Sequence, residues 1–295
     1  MILNFIIIIL IIIIFIKNKN KLKKEDFTNS NNNKNNIWLY WEEMPNTKKY
    51  GYLHLCYKTI QKHCKDCNVH LLNEKTVYNY LPELKNDPNL FNYCSIPQKA
   101  DYIRLFLLYK YGGIWLDSDV IVFKSLYELF EVLKNYDFIG FGCHFKNCNI
   151  NTVGFPNPAN WVLGSKKEGI LIKRCFNKAR DILINNPYLL KKKYHIIGRE
   201  LLWEQIDYLL KNNPNWSYYH FDSKCIERDN KGDKLINERH ISNEEIDSKC
   251  KNKYIFIPIY NTAPGFPEWF KNMNEEDLLK KNILFSKLIK FSLKI

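Results

Sequence analysis

Beyond residue 36 the apolar positions fall into short continuous runs separated by stripes at helical spacing. Ile37 to Trp41 (IWLYW) has the length of a buried first strand. From Tyr50 to Lys62 the residues Leu53, Cys56, Tyr57 and Ile60 share one helical face, and Asn68 to Leu72 reads as a second strand. A helix opening near Pro97 runs through Lys110, and Tyr111-Gly112-Gly113 stops it, glycine supplying the positive φ of a helix end. Ile114 to Leu116 is then a buried strand that delivers Asp117-Ser118-Asp119 at its carboxyl end. Val120 to Phe123, Phe138 to Phe141, Trp161 to Leu163, Tyr218 to Phe221 and Tyr254 to Tyr260 are further strand candidates, the last two closing the sheet. Helices are predicted over Leu126 to Lys134, Glu168 to Asn185 and Arg199 to Lys211. This order predicts an α/β domain over residues 37–270, a Rossmann-like nucleotide-binding sheet flanked by helices.

The two ends read differently. Residues 1–16 are apolar except for Asn4, slightly short for a bilayer core, with no small-residue cleavage site before Lys17. An uncleaved membrane anchor is the expectation, with a signal peptide as the alternative. Residues 17–36, rich in Asn and Lys, predict a flexible stem. The lysines after the anchor favour a cytoplasmic domain, with a Golgi- or ER-type lumenal face as the alternative, so sidedness stays open. Residues 271–295 predict a basic amphipathic helix capped by Asn274, with Glu275, Glu276 and Asp277 in its first turn. Its apolar face, opposite Lys280, Lys287, Lys290 and Lys294, suits either a membrane surface or packing on the domain.

Composition changes the picture little. A 46% hydrophobic and 15% aromatic content allows a well-buried core in 295 residues. The net charge of +13 sits largely beside the apolar segment and at the far end, which suits lipid headgroups. No zinc-finger or ribonucleoprotein pattern accompanies it, so no nucleic-acid partner is expected. Nine cysteines do not make a disulfide scaffold at this length.

The chemistry gathers at Asp117 and Asp119. In an extended segment, side chains two apart point the same way, so both carboxylates can meet one ligand. Paired carboxylates suit a hard divalent cation, Mn²⁺ or Mg²⁺, which neutralises a diphosphate leaving group. Such pairs are also common in solvated turns, and the context decides. Upstream runs Pro97-Gln98-Lys99-Ala100-Asp101-Tyr102-Ile103-Arg104, then LFLLYKYGGIWLDSDV to Val120. Asp101 and Arg104, three apart, share a helix face and can pair or reach one ligand. The glycine pair, Gly112 and Gly113, lets the backbone approach a nucleotide closely.

Asp-x-x-Arg on a helix, then Leu-Tyr-x-x-Gly-Gly, then Asp-x-Asp resembles the glycosyltransferase sugar-binding region containing the Asp-x-Asp motif. That group includes fungal initiating α-1,6-mannosyltransferases, lactosylceramide α-galactosyltransferases and bacterial capsular polysaccharide synthesis proteins. The tight match runs from Gln98 to Val120, with a looser one from Ile37 to about Leu210. The resemblance implies a GT-A fold, residues 37–270 as the catalytic domain, a UDP- or GDP-sugar donor, retention of configuration, and a glycan or glycolipid acceptor. It implies that Asp119 binds the metal and that Asp117 contacts the donor ribose, or the metal through water. It further implies that Asp101 and Arg104 position donor sugar and diphosphate, with Arg104 stabilising the departing group, and that Trp38 or Trp41 lies near the base. Asn160-Trp161 matches the asparagine-led strand of relatives. Arg199 departs from their pattern, standing where they often have proline after Gly198. The late histidine-containing metal motif is also missing; Tyr260 to Trp269 takes its place, and a third protein ligand stays unassigned.

Other readings compete. Trp38 and Trp41 can equally be core aromatics, and Asp101 and Arg104 a surface pair. His63-Cys64-x-x-Cys67 with His70, and Cys143-His144 with Cys148, resemble zinc spacings, although buried thiols or a disulfide suit them as well. A haloacid-dehalogenase-like phosphatase also carries Asp-x-Asp after a strand, but Val120-Ile121 stand where it has Gly or Ser and then Thr. A catalytically inactive, membrane-tethered sugar-nucleotide-binding protein is the rival from another class.

Overall fold

Strand β1 (Asn36–Tyr40) alternates between two hydrophobic clusters: Ile37 and Leu39 enter one, Trp38 and Tyr40 the other. This period of two is the mark of a strand covered on both faces. β2 (Asn68–Leu72) pairs in parallel with β1. β3 (Gly113–Leu116) does so on the other side of β1, and repeats the alternation with Ile114 and Leu116 against Trp115. The computed structural model describes residues 35–42, 50–142, 151, 154, 157–221, 239–246, 253, 255–260 and 266–295. The anchor and nearly all of the stem, along with Cys143, His144 and Cys148, lie outside them.

The remaining strands are β4 (Val120–Val122), β5 (Phe138–Gly142), β6 (Pro158–Ser165), β7 (Tyr219–Phe221) and β8 (Phe256–Pro258). Six form a mixed sheet in the order β2-β1-β3-β6-β5-β7, in which β6 runs antiparallel to both neighbours. The helices are α1 (Gly51–His63), α2 (Pro88–Tyr93), α3 (Ile96–Tyr111), α4 (Tyr127–Asn135) and α5 (Ile170–Asn185). They continue with α6 (Tyr188–Lys192), α7 (Arg199–Asn212), α8 (Glu268–Asn272), α9 (Glu275–Lys280) and α10 (Leu284–Leu293). α1, α4 and the last three helices feed the cluster on one face of the sheet, while α3, α5 and α7 feed the other.

Two expectations change. The Tyr254 to Tyr260 segment does not extend the main sheet, because β8 pairs with β4 in a separate two-stranded sheet. The C-terminal segment is two helices, not one. Lys281 and Ile283 are extended between them, and the Leu284 and Phe285 amides donate to the Ser242 and His240 carbonyls. The apolar face of α10 is covered, with Leu284, Phe285, Leu288 and Ile289 buried in the first cluster. That face is therefore occupied by the domain, and residues 36–295 form a single compact unit. No helix among the described residues is long and apolar enough to cross a membrane.

His240 joins these parts. Its ring is fully buried, Nε2 donates to the Pro258 carbonyl of β8 at 2.9 Å, and no described group partners Nδ1. Burial pushes its pKa down from 6.5 to about 4. The unfolded chain takes up a proton near pH 6.5 that the folded chain refuses until about pH 4, so stability present above 6.5 is lost as pH falls through this window. Between pH 7 and pH 5 wild type should lose about 2 kcal/mol relative to His240→Gln, which keeps a donor and does not titrate. Urea unfolding of both proteins at the two pH values measures it; equal losses would clear His240 of the role.

Candidate active site

Helix α3 and strand β3 carry the polar groups of the site, and the two glycines between them set the geometry. Gly112 ends α3 at φ 68°, and Gly113 follows at φ 103°, both in the region that side chains disfavour. A Cβ on Gly113 would stand 2.4 Å from the Asn36 carbonyl oxygen, so glycine here lets β3 close on β1. At the other end of α3, the Gln98 side chain accepts from the Ser95 backbone and hydroxyl, each at 3.0 Å. Its amide donates to the Leu190 carbonyl at 2.8 Å and the Tyr194 carbonyl at 3.3 Å, tying the chain before α7 to α3.

Arg104, 4% exposed, lies between two aspartates. Nη1 donates to Asp101 Oδ1 and Nη2 to Asp117 Oδ1, both at 2.8 Å. The guanidinium sits over the Trp115 ring, 4.8 Å from its centroid, and Trp115 Nε1 donates to the same Asp117 oxygen at 2.8 Å. Asn160 on β6 donates to Asp101 Oδ1 at 2.8 Å. Burial raises both carboxyls against the attraction of Arg104, Asp101 to about 6. Asp101 and Arg104 are thus a buried pair and not a surface one.

Asp117 to Asp119 is a turn between β3 and β4, not the continuous extended segment expected. The Ser118 hydroxyl donates to the Tyr40 carbonyl at 3.1 Å, and the Asp119 carbonyl accepts from the Ile259 amide at 2.9 Å. Both carboxylates nonetheless line one cavity of about 780 Å³, together with Asp101, Arg104 and Trp41. The lining also includes Tyr194, His195 and Arg199, the first residue of α7.

Two predicted site residues stand elsewhere. Trp38 is 1% exposed, stacked on His70 at 4.3 Å, with Nε1 donating to the Gly112 carbonyl at 2.8 Å. It is a core aromatic, placed there by the alternation along β1. Gly113 faces β1 and not the cavity. The residues that sequence reasoning passed over are Trp115 and Gly198. Trp115 was signalled by its place two residues before Asp117 on one strand. The steric role of Gly198 had no local signal: a Cβ there would meet Asp101 Oδ2 at 2.3 Å, a contact between segments remote in sequence.

The donor set fits a divalent cation held jointly with a ligand. Three carboxylates, Asp101, Asp117 and Asp119, line the cavity, and the Arg104 guanidinium pairs with the first two. Both hydrogen bonds to Asp117 fall on Oδ1, which leaves Oδ2 for another partner. Among the described residues no group of three or more His, Cys, Asp or Glu side chains could by itself cage a metal. One or two carboxylates plus phosphate oxygens is the set that Mg²⁺-like ions take with nucleotides. The first zinc spacing does not come together: His63 Nε2 lies against Ser292, and both His70 nitrogens are engaged, by Asn36 and Tyr80.

Helices on both faces of a mixed sheet, with the turn at Asp117 to Asp119 opening on a cavity, define an α/β domain. The sequence profile of the capsular polysaccharide synthesis protein family matches residues 11–254, and the chain belongs to that family. It is similar to the uncharacterized glycosyltransferase L373 of Acanthamoeba polyphaga mimivirus, 29% identical over 133 residues, 44% of this chain and 46% of that one. The O-glycosyltransferase PaGT of Phomopsis amygdali is 30% identical over 76 residues, 24% of this chain and 18% of that one. Each match spans less than half of the relative's own length. Among solved structures, the glycosyltransferase GlyE of Streptococcus pneumoniae TIGR4 is 13% identical, with a TM-score of 0.45 over 88% of this chain and 64% of that one.

Gly198→Ala tests the packing of the site without removing any of its polar groups. The added methyl must displace the Asp101 carboxylate or the α7 turn, at a cost of about 1–3 kcal/mol. A lowered urea midpoint measures it, and an unchanged midpoint would show that the turn yields freely.

Proposed function

We propose that the protein is a metal-dependent glycosyltransferase that moves a hexose or N-acetylhexosamine from a UDP- or GDP-sugar onto a hydroxyl of a glycan or glycolipid. The observation that carries this is the pair Asp117 and Asp119 in the lining of one cavity, with both hydrogen bonds to Asp117 on a single oxygen. Membership of a capsular polysaccharide synthesis family favours a glycan acceptor, and the O-glycosyltransferase among the relatives favours an oxygen nucleophile. Mn²⁺ or Mg²⁺, held by Asp119 and the open oxygen of Asp117, would supply charge neutralisation to the donor diphosphate.

The chain's own residues do the rest. Arg104 and Trp115 hold Asp117 in one rotamer, so that its second oxygen is presented without reorganisation. Trp41, on the same cavity and edge-on to Tyr50 at 6.2 Å between centroids, offers an aromatic face for the base. In the transfer, the acceptor oxygen bonds to the sugar's anomeric carbon as the bond from that carbon to the diphosphate oxygen breaks. The bonding pair leaves on the diphosphate. Attack from the same face retains the configuration and sets the acceptor hydroxyl beside the departing oxygen, which takes its proton. No protein nucleophile is invoked. Residues 2–16 would tether the domain to a membrane.

Incubation with a panel of UDP- and GDP-sugars and Mn²⁺, reading free nucleotide, tests the proposal. Turnover should vanish on chelation and fall by about 100-fold or more in Asp119→Asn. Folded protein silent across the panel would leave only the reading of a sugar-nucleotide-binding protein without chemistry.

A further inference from the structure

One rim of the cavity has no part in the chemistry given so far. Tyr194 and His195 line it, and the chain that leads into them, Lys191 to Tyr194, is exposed at four consecutive residues. An exposed turn is usually loose, but this one is pinned. The buried Gln98 amide donates to the Leu190, Lys193 and Tyr194 carbonyls at 2.8, 3.4 and 3.3 Å, so one side chain of α3 fixes the backbone of the turn. The Lys193 amide closes on the Leu189 carbonyl at 2.9 Å. The exposed side chains are thus presented from a fixed frame.

The turn carries one sign of charge. Lys191, Lys192 and Lys193 form no ion pair with a described residue; Lys191 lies over the Tyr93 ring at 5.1 Å and Lys192 over the Tyr188 ring at 5.5 Å. Other lysines beside the cavity are committed, Lys271 to Glu268 and Lys99 to Glu42, each at 3.1 Å. Between residues 187 and 200 Arg199 adds a fourth cation, and Glu200 is the one acid. Burial holds the His195 ring below its ordinary pKa, so it adds no charge at neutral pH. On α2, which packs against this segment, the acid is Asp87, and it interacts with Arg180.

Adjacent ammonium groups repel one another, and an anionic ligand relieves that repulsion. Tyr188 and Tyr194, 53% and 50% exposed, set flat apolar faces beside the charges. Cations interleaved with aromatic faces suit a sugar chain that carries negative groups better than they suit a bare ion. The turn also runs directly into the cavity, and the Tyr194 hydroxyl feels the charges of both Asp101 and Asp117. An acceptor chain with its reactive hydroxyl at that end, leaving the cavity over Tyr194, meets the lysines next. We infer that Lys191, Lys192 and Lys193 form an acceptor-binding rim for an anionic glycan, one bearing uronate or phosphate groups. This rests on the transferase reading given above, and it adds a substrate class that the Asp117 and Asp119 end of the cavity does not specify.

The test is calorimetric titration of the full chain in detergent with oligogalacturonate, and with its methyl ester as the neutral match. The triple variant Lys191→Gln, Lys192→Gln, Lys193→Gln should weaken oligogalacturonate binding by about 10-fold or more, most at low salt, and leave the methyl ester unchanged. A charge-matched variant at three other exposed lysines, Lys65→Gln, Lys281→Gln, Lys290→Gln, should stay within about 3-fold of wild type. An unchanged thermal midpoint in both variants secures the comparison. Equal loss in the two variants overturns the inference, because net charge alone would then act. So does wild-type affinity in the first variant, or absence of oligogalacturonate binding by wild type. Loss confined to phosphatidylglycerol micelles, with the glycan isotherm unchanged, also overturns it and assigns the turn to a membrane. Nucleotide release from the donor panel is read in parallel. A rim that fails beside intact donor turnover sinks this inference alone. Lysine-dependent glycan binding by a protein that turns over no donor sinks the transferase reading and leaves the anionic-glycan surface standing.

Discussion

A buried guanidinium shared between two carboxylates organises this molecule's polar interior. Arg104, with little access to water, reaches Asp101 on its own helix and Asp117 just past the next strand, each at 2.8 Å. Removing one partner of such a group costs about 3–5 kcal/mol, because the remaining charge is stranded. The surroundings therefore converge on keeping it whole: Asn160 adds a donor to Asp101, Trp115 adds a donor to Asp117 and a face to Arg104, and Gly198 leaves room for Asp101. Four separate elements (α3, β3, β6 and the start of α7) thus meet at one ion cluster.

The cluster depends on a short covalent path. Asp117 lies thirteen positions after Arg104, and in that span the chain must end a helix, reverse and enter a sheet. Gly112 and Gly113 accomplish this with positive φ at both positions, and any side chain on either would collide with backbone: Lys167 at Gly112 and Asn36 at Gly113. The glycine pair consequently acts on the site by setting the register of β3 against β1 and not by touching a ligand.

These facts explain what was legible beforehand. Strand alternation in Ile37 to Tyr40 and the helical stripe of α1 are local patterns, and they placed β1, α1, β2 and most of the later elements within a residue or two. The pairing of Asp101 with Arg104 was visible as spacing on one helix, whereas the bond from Arg104 to Asp117 crosses from helix to turn and had no such signal. Trp38 was ambiguous because an aromatic on a first strand can face either layer, and only the burial of both faces resolves it. The break between α9 and α10 was hidden because it arises from the 240–242 segment capturing two backbone donors, a contact without a sequence signature. The steric role of Gly198 depends likewise on a distant partner, Asp101.

The spacing of the two motif aspartates has its own physical origin. Asp117 leaves the main sheet at the end of β3, and Val120 enters the two-stranded sheet beside β8, so the motif is the joint at which the chain changes sheets. Asp117 is therefore governed by α3 through Arg104, whereas Asp119 is governed by the second sheet through Ile259. That second sheet is in turn held from behind: the Val122 amide donates to Thr59 of α1 at 2.9 Å, and the Val122 carbonyl accepts from Ser292 of α10. The C-terminal helix, for which the sequence allowed either a membrane surface or packing on the domain, thus buttresses the strand that follows Asp119. Its apolar face belongs to the foundation of the site, and a ligand bridging the two aspartates would draw on both halves of the fold at once.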